Sequence, residues 1–422
     1  FKGIHKLPPG SYLKIKNKNF EVKTYWNPDL TKTKGVVSKI DIRERVLKSV
    51  EKQLISDRPV GVYLSGGIDS SIILGSIKKV TSNIKTFSIG FDIKDPVQKE
   101  KFNKDFNLAR KTALFYKTEH HELLIKPEEV WKNLEEAIYH LDEPISNPTI
   151  VPMYILSKFA KEKVAVVLSG DGGDELFGGY ERYQLSLAQD RYRKIPFFIR
   201  KILNIFSRLR KLNIENDIDR FSLFMFQKDE LLTRVVSDTY LNQGVTKACF
   251  DAKYLQKIRH ENFTDLFMKT DRRSWLVDED LMRADKMSMA HGLEVRVPFL
   301  DKDLVEFAEK MSTQDKVSMV NTKISLKDAF KDTLPEYLFR EPKRGWFSPG
   351  AKWLRDDGMY EKVKKVLSAE YYKETQDMFN WSSLQQILDD HKSKKDYNLT
   401  LLWSIMTFQI WAKRYGVITS RV

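Results

Sequence analysis

Twice in this chain a short apolar run breaks off into Ser-Gly, with further glycines and acids close behind, and few folds accommodate that pattern. The first occurrence is Val60-Gly61-Val62-Tyr63-Leu64 followed by Ser65-Gly66-Gly67-Ile68-Asp69-Ser70-Ser71. An apolar run of that length reads as a strand buried on both faces, and paired glycines let main chain approach an anion closely. A helix starting near Asp69 or Ser70 adds its N-terminal amides, so loop, hydroxyls and helix together form a phosphate cradle. A carboxylate beside that cradle repels a phosphate unless a cation intervenes, so Asp69 implies Mg²⁺. The second occurrence runs from Val164 to Leu168 and then Ser169-Gly170-Asp171-Gly172-Gly173-Asp174-Glu175. In an open parallel sheet, ligands sit beyond the carboxyl ends of the strands. Two such loops side by side set Asp69 and Asp174 on either side of one metal–pyrophosphate group. Either loop alone could be a strand–turn–helix connection or an acidic surface turn; the repetition argues for the cradle. No GxxxxGK[ST] occurs and no GxGxxG follows a strand, so γ-phosphoryl transfer of the Walker type lacks its lysine.

The residues between and around the two loops supply alternating units. Ile42 to Ile55 carries apolar residues on one helical face, and Ser70 to Val80 reads as a helix. Thr86 to Phe91 and His120 to Ile125 read as strands, and Phe106 to Tyr116, Val130 to Leu141 and Met153 to Lys161 as helices. Strands alternating with helices of this length imply βαβ crossovers and a parallel sheet. Ahead of them, residues 1–35 form a β-rich lead-in, with strands at Ser11 to Ile15 and Phe20 to Trp26 and a polar linker at Thr31 to Gly35. Past Gln184 the strand signal largely stops, and the remainder reads as helices. The expected architecture is α/β: a parallel-sheet core over residues 36–184, a variable basic helical segment over 185–270, and a helical portion over 271–422 that completes the site. His120 and His121 look like a metal pair, but neighbours on a strand point to opposite faces and cannot chelate one ion together.

Composition narrows the classes. A chain of 422 residues, 41% of them hydrophobic and 12% aromatic, has material for a core spread over roughly two or three domains. The single cysteine, Cys249, excludes an internal disulfide and any cysteine zinc cluster, and fits a reducing compartment such as the cytoplasm. The net charge is +14, and part of the excess is local. Arg191, Arg193, Lys194, Arg200, Lys201, Arg208, Arg210 and Lys211 fall in one stretch without an acid, interleaved with Phe198, Ile202, Ile205, Phe206 and Leu209. That spacing predicts a basic amphipathic helix. Its plain reading is a solvated face on a helix docked to its own core; a membrane-surface or partner-docking helix is the alternative.

Taken in order, SGGIDSS, TFSIGF (Thr86 to Phe91), SGDGGDELFGGY, the LEVRVPFLD run (Leu293 to Asp301) and the segment around Lys323 resemble the synthetase half of the asparagine synthetase B family, whose core is a PP-loop (adenine-nucleotide α-hydrolase-like) ATP-pyrophosphatase. FKGIHKLPPG at the start looks like the join after that family's glutaminase domain. The resemblance implies that Ser65, Gly66, Gly67, Asp69 and Ser70 hold ATP phosphates and magnesium, and that the main chains of Leu64 and Ile89 bracket the adenine. It implies further that Ser169 and Gly170 contact the nucleotide, that Asp174 joins Asp69 on magnesium, and that Lys323 steadies the pyrophosphate. Asp171 occupies the place of an acid tied to forming the acyl-adenylate. The helical stretch Asp278 to Met289, with Arg283 and Asp285, and Arg296 beyond it, would line the acceptor pocket.

Two departures matter. Well-studied members resemble SGEGSDE, with glutamate where this chain has Asp171. Asp142-Glu143-Pro144 with Asn147-Pro148 resembles a branch containing amidotransferases of other substrates, so the activated acid need not be aspartate. The implied reaction forms an amide from aspartate, or another carboxylate such as a sugar acid or peptide, through an acyl-adenylate, releasing AMP and pyrophosphate. The implied partners are the carboxylate, ammonia, a glutaminase domain upstream or separate, and a second copy in a homodimer; nucleic acid is not expected among them. Readings of other kinds are a cyclase using an internal amine, a nucleotide-binding protein without activity, and a tRNA-interacting enzyme for which only the charge speaks.

Overall fold

Strands and helices alternate as the pattern requires. The computed structural model describes residues 3–28, 38–341, 345 and 347–418; the linker expected at Thr31 to Gly35 lies outside them. A two-stranded antiparallel hairpin, β1 (Ser11–Lys16) and β2 (Asn19–Thr24), comes first. It is tied to the body by the Trp26 indole, which donates to Glu306 at 2.8 Å, and by Lys6, which pairs with Glu143 and Asp278. Then follow α1 (Lys39–Leu54), β3 (Val60–Tyr63), α2 (Ile68–Ile77), β4 (Lys85–Phe91), α3 (Pro96–Tyr116), β5 (Glu119–Ile125), α4 (Pro127–His140), α5 (Ile150–Lys161) and β6 (Val166–Leu168). Helix α1 starts at a Ser38–Asp41 capping box and buries Ile42, Val46 and Val50, one helical face. Helix α3 begins ten residues before the expected Phe106, because Asp95 caps it and Pro96 opens its first turn.

The main sheet is wholly parallel, in the order β5-β4-β3-β6-β7. Strand order reverses between β3, whose neighbours continue to β4 and β5, and β6, so the two Ser-Gly loops leave the sheet side by side at the switch point. The fifth strand, β7 (Glu294–Arg296), corrects the expectation of an all-helical remainder: it pairs with β6, Val295 opposite Val167. Three residues of strand carry no alternation that a sequence could show. The expected boundary near residue 184 is therefore not a boundary of the sheet.

Each face of the sheet has its own core. Phe87, Ile89 and Val167 pack with α4, α5 and late residues such as Trp353, Trp403 and Met406. On the other face Val62, Leu64 and Leu168 pack with α1, α2, Phe299, Leu326 and Phe330. A third, helical cluster gathers Tyr183, Phe221 and Phe267.

The basic stretch departs from its expected form. Past β6 come α6 (Gly173–Phe177), α7 (Glu181–Arg193), α8 (Phe197–Leu203) and α9 (Ser207–Arg210). The continuous helix is broken at Pro196, which cannot extend a preceding helix, and again at Asn204 to Phe206. Nor is its apolar side docked: Phe197, Phe198, Ile202, Ile205 and Phe206 are exposed.

Trp403 lies fully buried in the core that joins the late helices to the sheet. Trp403→Ala should lower unfolding free energy by about 3–5 kcal/mol, read by urea denaturation, whereas Tyr397→Ala at an exposed neighbouring position should change it by less than about 0.5 kcal/mol.

Candidate active site

In the first loop, hydroxyls close on one another. Ser65 and Ser70 hydroxyls are 3.0 Å apart, Ser65 N donates to Ser70 Oγ at 3.2 Å, and Ser70 and Ser71 both donate to Gly67 O. Gly66 stands at φ +79°, and a Cβ there would lie 2.3 Å from Asp105 O, so only glycine lets the loop turn against α3. Gly67 is the N-cap of α2 and no side chain caps that helix, which leaves its first-turn amides facing the cradle.

The second loop packs directly on the first. A Cβ on Gly170 would meet Ser70 N at 2.8 Å and Asp69 Cβ at 2.9 Å, so the two turns can touch only through glycine. Ser169 N donates to Arg296 O at 2.9 Å, continuing the β6–β7 ladder, and Ser169 Oγ donates to Asp171 Oδ2 at 2.8 Å. The result brings Asp69 and Asp174 onto one cation. Lys323 Nζ bonds Asp69 Oδ2 and lies 2.5 Å from Asp174 Oδ1. Lys323 is buried, and its backbone is left-handed at φ 53° just before the helix Ile324–Phe330. Burial alone would lower its pKa, but Asp174 and Asp69 outweigh that and hold the ammonium well above the ordinary lysine value.

A second set of charges stands behind the triad. Burial pushes the Asp171 carboxyl up to about 7, and the Asp280 charge adds to the rise. Burial likewise raises Glu175 to about 8, helped by Asp280 and Asp174; the Tyr180 hydroxyl donates to Glu175 Oε1 at 2.6 Å. Asp280 and Glu279 come from a π-helical turn, Leu276–Leu281, that leads into the helix Met282–Met289. Buried Arg283 answers these acids: it bonds Asp280, approaches Glu279 at 3.3 Å, and donates to Thr149 Oγ1 at 2.5 Å. Asn147 holds Glu279 from the other side at 2.7 Å.

Of the residues expected from sequence, the structure therefore gathers Ser65, Gly66, Gly67, Asp69, Ser70, Ser169, Gly170, Asp171, Asp174 and Lys323 at one place, with Arg283 against Asp171 through its charge. Leu64 and Ile89 flank the end of β3. Leu64 N donates to Phe87 O at 2.9 Å. By parity Ile89 then turns its own main-chain groups toward β3, whose ladder with β4 ends at Tyr63 opposite Phe87. Arg296 is a correction. Its guanidinium donates to Gln53 O and Ile55 O, each at 2.7 Å, and to Glu294, so it closes the end of α1 rather than lining the site. Asp285 is exposed on its helix. His120 and His121 do diverge: His120 bonds Thr86 and Ser88, while His121 stacks on Phe87. Glu175, Asp280, Glu279 and Tyr180 were not singled out by sequence; Glu175 and Tyr180 stood inside a recognised motif without a role, and Asp280 looks like any helix-surface charge.

A magnesium ion fits this donor set. Asp69 Oδ1 is buried with no hydrogen-bond partner among the described residues, and the described residues contain no cluster of three or more side-chain ligands. Magnesium beside a nucleotide takes one or two carboxylates and completes its shell with phosphate oxygens and water. Asp69 and Asp174, which converge on Lys323, would supply such a pair.

The asparagine synthase family's sequence profile matches residues 41–413. Asparagine synthetase [glutamine-hydrolyzing] 1 of Bacillus subtilis is 30% identical across 97% of this chain and 65% of its own length. A putative asparagine synthetase [glutamine-hydrolyzing] of Mycobacterium tuberculosis is 27% identical across 86% of the chain and 56% of its own length. Amidase chyE of Penicillium rubens is 23% identical across 99% of the chain and 69% of its own length. The chain thus spans less than two thirds of the length of the first two relatives.

The raised Asp171 carboxyl has a consequence for stability. Its folded pKa of about 7 exceeds the ordinary 3.8, so the native state holds a proton that the unfolded chain has released. The Asp171 contribution to the stability of the metal-free chain should be full below the ordinary 3.8 and be lost as pH rises through about 7; in Asp171→Asn the fall in stability between those values should be shallower, measured by denaturant melts across pH. An unchanged slope would mean Asp171 ionises normally.

Proposed function

The chain belongs to the asparagine synthase family, a family of ATP-dependent ligases, and on that premise we propose that it activates a carboxylate with ATP and passes the acyl group to ammonia. The observation that carries this reading is the meeting of Asp69 and Asp174, from two Ser-Gly loops at the sheet's switch point, on buried Lys323. The adenine lies between the main chains of Leu64 and Ile89, where β3 has ended and β4 continues. The phosphates lie over Ser65 to Ser70 and the uncapped N-terminus of α2, with Ser169 and Gly170 closing the far side. Asp69 and Asp174 would hold magnesium, which when bound would neutralise phosphate charge and favour the departure of pyrophosphate. Lys323 then turns from the carboxylates toward the phosphate oxygens and stabilises the negative charge that develops there.

The chemistry has two steps. A carboxylate oxygen attacks the α-phosphorus, the bond to the β-phosphate oxygen breaks, and pyrophosphate leaves an acyl-adenylate. Ammonia attacks the acyl carbon, loses a proton, and expels AMP as the amide forms. Arg283, buried among Asp171, Glu279 and Asp280, is the cation we assign to the incoming carboxylate. Aspartate is the substrate we propose first, with asparagine as product and ammonia from glutamine, in keeping with the names of the two asparagine synthetase relatives. Asp171 favours a second reading on the same mechanism, another carboxylate, because its shorter side chain alters the pocket wall. The amidase-named relative shows that likeness of this kind extends beyond asparagine synthetases.

Pyrophosphate release from MgATP, with ammonium and a panel of carboxylates including aspartate, tests the reading. Release stimulated by aspartate with asparagine formed supports the first substrate; release with another acid keeps the mechanism and changes the substrate. Asp69→Ala should abolish release, and Lys323→Ala should slow it about 10²–10³-fold. Release that persists in both variants would refute the assignment of the site.

A further inference from the structure

Residues 191–211 invert the usual order of a surface segment. Phe197, Phe198, Ile202, Ile205 and Phe206 are 64%, 68%, 64%, 73% and 64% exposed. The polar groups meanwhile turn inward. Arg200 Nε donates to Ile195 O at 3.1 Å, the hydroxyl of buried Tyr192 donates to Asn204 Oδ1 at 3.0 Å, and Gln189 Nε2 donates to Lys211 O at 2.9 Å. These bonds fix the turns as a platform whose apolar side is held outward rather than a loose loop. On α8, residues 197, 198, 201 and 202 share one side at 100° per residue, so Lys201 rises among the exposed rings. Arg191, Arg193, Lys194, Arg210 and Lys211 are exposed around them. No acid occurs between Asp190 and Glu215; beyond the stretch, Asp217 comes within 4.0 Å of Arg193.

An exposed apolar patch of this kind marks an interface, and the charge chooses the occupant. A second copy packed across a two-fold axis would set one cationic rim against another. Single-stranded nucleic acid would satisfy the cations and stack bases on the phenylalanines, but it would leave Ile202 and Ile205 in water. An anionic lipid surface satisfies both, since headgroup phosphates meet the basic rim and the acyl boundary receives the apolar side chains. We propose that residues 191–211 dock this protein onto membranes containing anionic phospholipid, lying in the interface without crossing it. None of the described helices is long and apolar enough to span a bilayer.

Co-sedimentation of the full chain with vesicles tests this directly. The chain should pellet with phosphatidylcholine–phosphatidylglycerol vesicles and remain in solution with phosphatidylcholine alone, and added salt should release it. Each basic residue near an anionic surface strengthens binding about fivefold, so Lys194→Gln with Lys201→Gln should weaken it about 25-fold. Phe198→Asp with Ile202→Asp should abolish it. Both pairs of substitutions sit at exposed positions, and unchanged thermal unfolding will show that the fold survives. The proposal is overturned by equal behaviour toward both vesicle types, or by variants that bind as the parent does. It is also overturned if the lysine variants release the chain while the aspartate variants do not, which would indicate adhesion by charge alone. Self-association of the parent in sedimentation velocity, lost in Phe198→Asp, with no vesicle binding, would assign the patch to a second copy instead.

Discussion

Two carboxylates from neighbouring loops cannot share a buried site without a cation between them, and Lys323 is that cation. Its ammonium ties a residue at position 69 to one at 174 from a third segment far along the chain. Taking one partner out of a buried ion pair costs about 3–5 kcal/mol, because the remaining charge is left desolvated. The arrangement is held against backbone preference as well. A left-handed lysine costs about 1–2 kcal/mol, and here it opens the helix Ile324–Phe330, whose buried Leu326 and Phe330 anchor it in the core beneath α1 and α2. A conformational cost of this kind is met here at a buried lysine between two carboxylates, and residues held in sparsely populated backbone regions cluster at functional sites.

Behind the triad, the site sets acids against too few cations on purpose. Asp69, Asp171, Asp174, Glu175 and Asp280 face Lys323 and Arg283, and burial answers the excess by raising the Asp171 carboxyl to about 7 and the Glu175 carboxyl to about 8, so both bind protons more readily than an exposed acid. The π-helical turn at 276–281 contributes to this, since its wider winding carries Glu279 and Asp280 into the same site as Arg283 one turn on.

Sequence disclosed most of the frame because strands buried on both faces are continuous apolar runs, and the glycines after each run mark turns where main chain must come close. It disclosed the triad only in part. Asp69 and Asp174 announce themselves by position, whereas Lys323, taken alone, is a lysine before an apolar stretch and became visible through resemblance. Asp280 is separated from Asp171 by more than a hundred residues, and no local pattern distinguishes it from a solvated charge. Strand β7 is too short to show a period. Arg296 differs from expectation because a charged residue inside a recognised motif invites a place in the acceptor pocket, while its actual partners are carbonyls at the end of α1. The basic stretch shows the limit of periodicity: helical spacing tells which residues share a side, not whether that side faces core or water.

The late arrival of β7 bears on how the molecule is made. Strand β6 pairs with β3 on one edge, but its other edge waits for residues 294–296, and the sheet face carrying Phe87 and Val167 waits for Trp353, Trp403 and Met406. A ribosome adding about 5–20 residues per second leaves β6 an open edge for several seconds, and the apolar face uncovered for longer still. Such a nascent chain presents an unpaired strand and bare side chains that another molecule could occupy first. The sooner residues 294–406 emerge after β6, the shorter that exposure lasts.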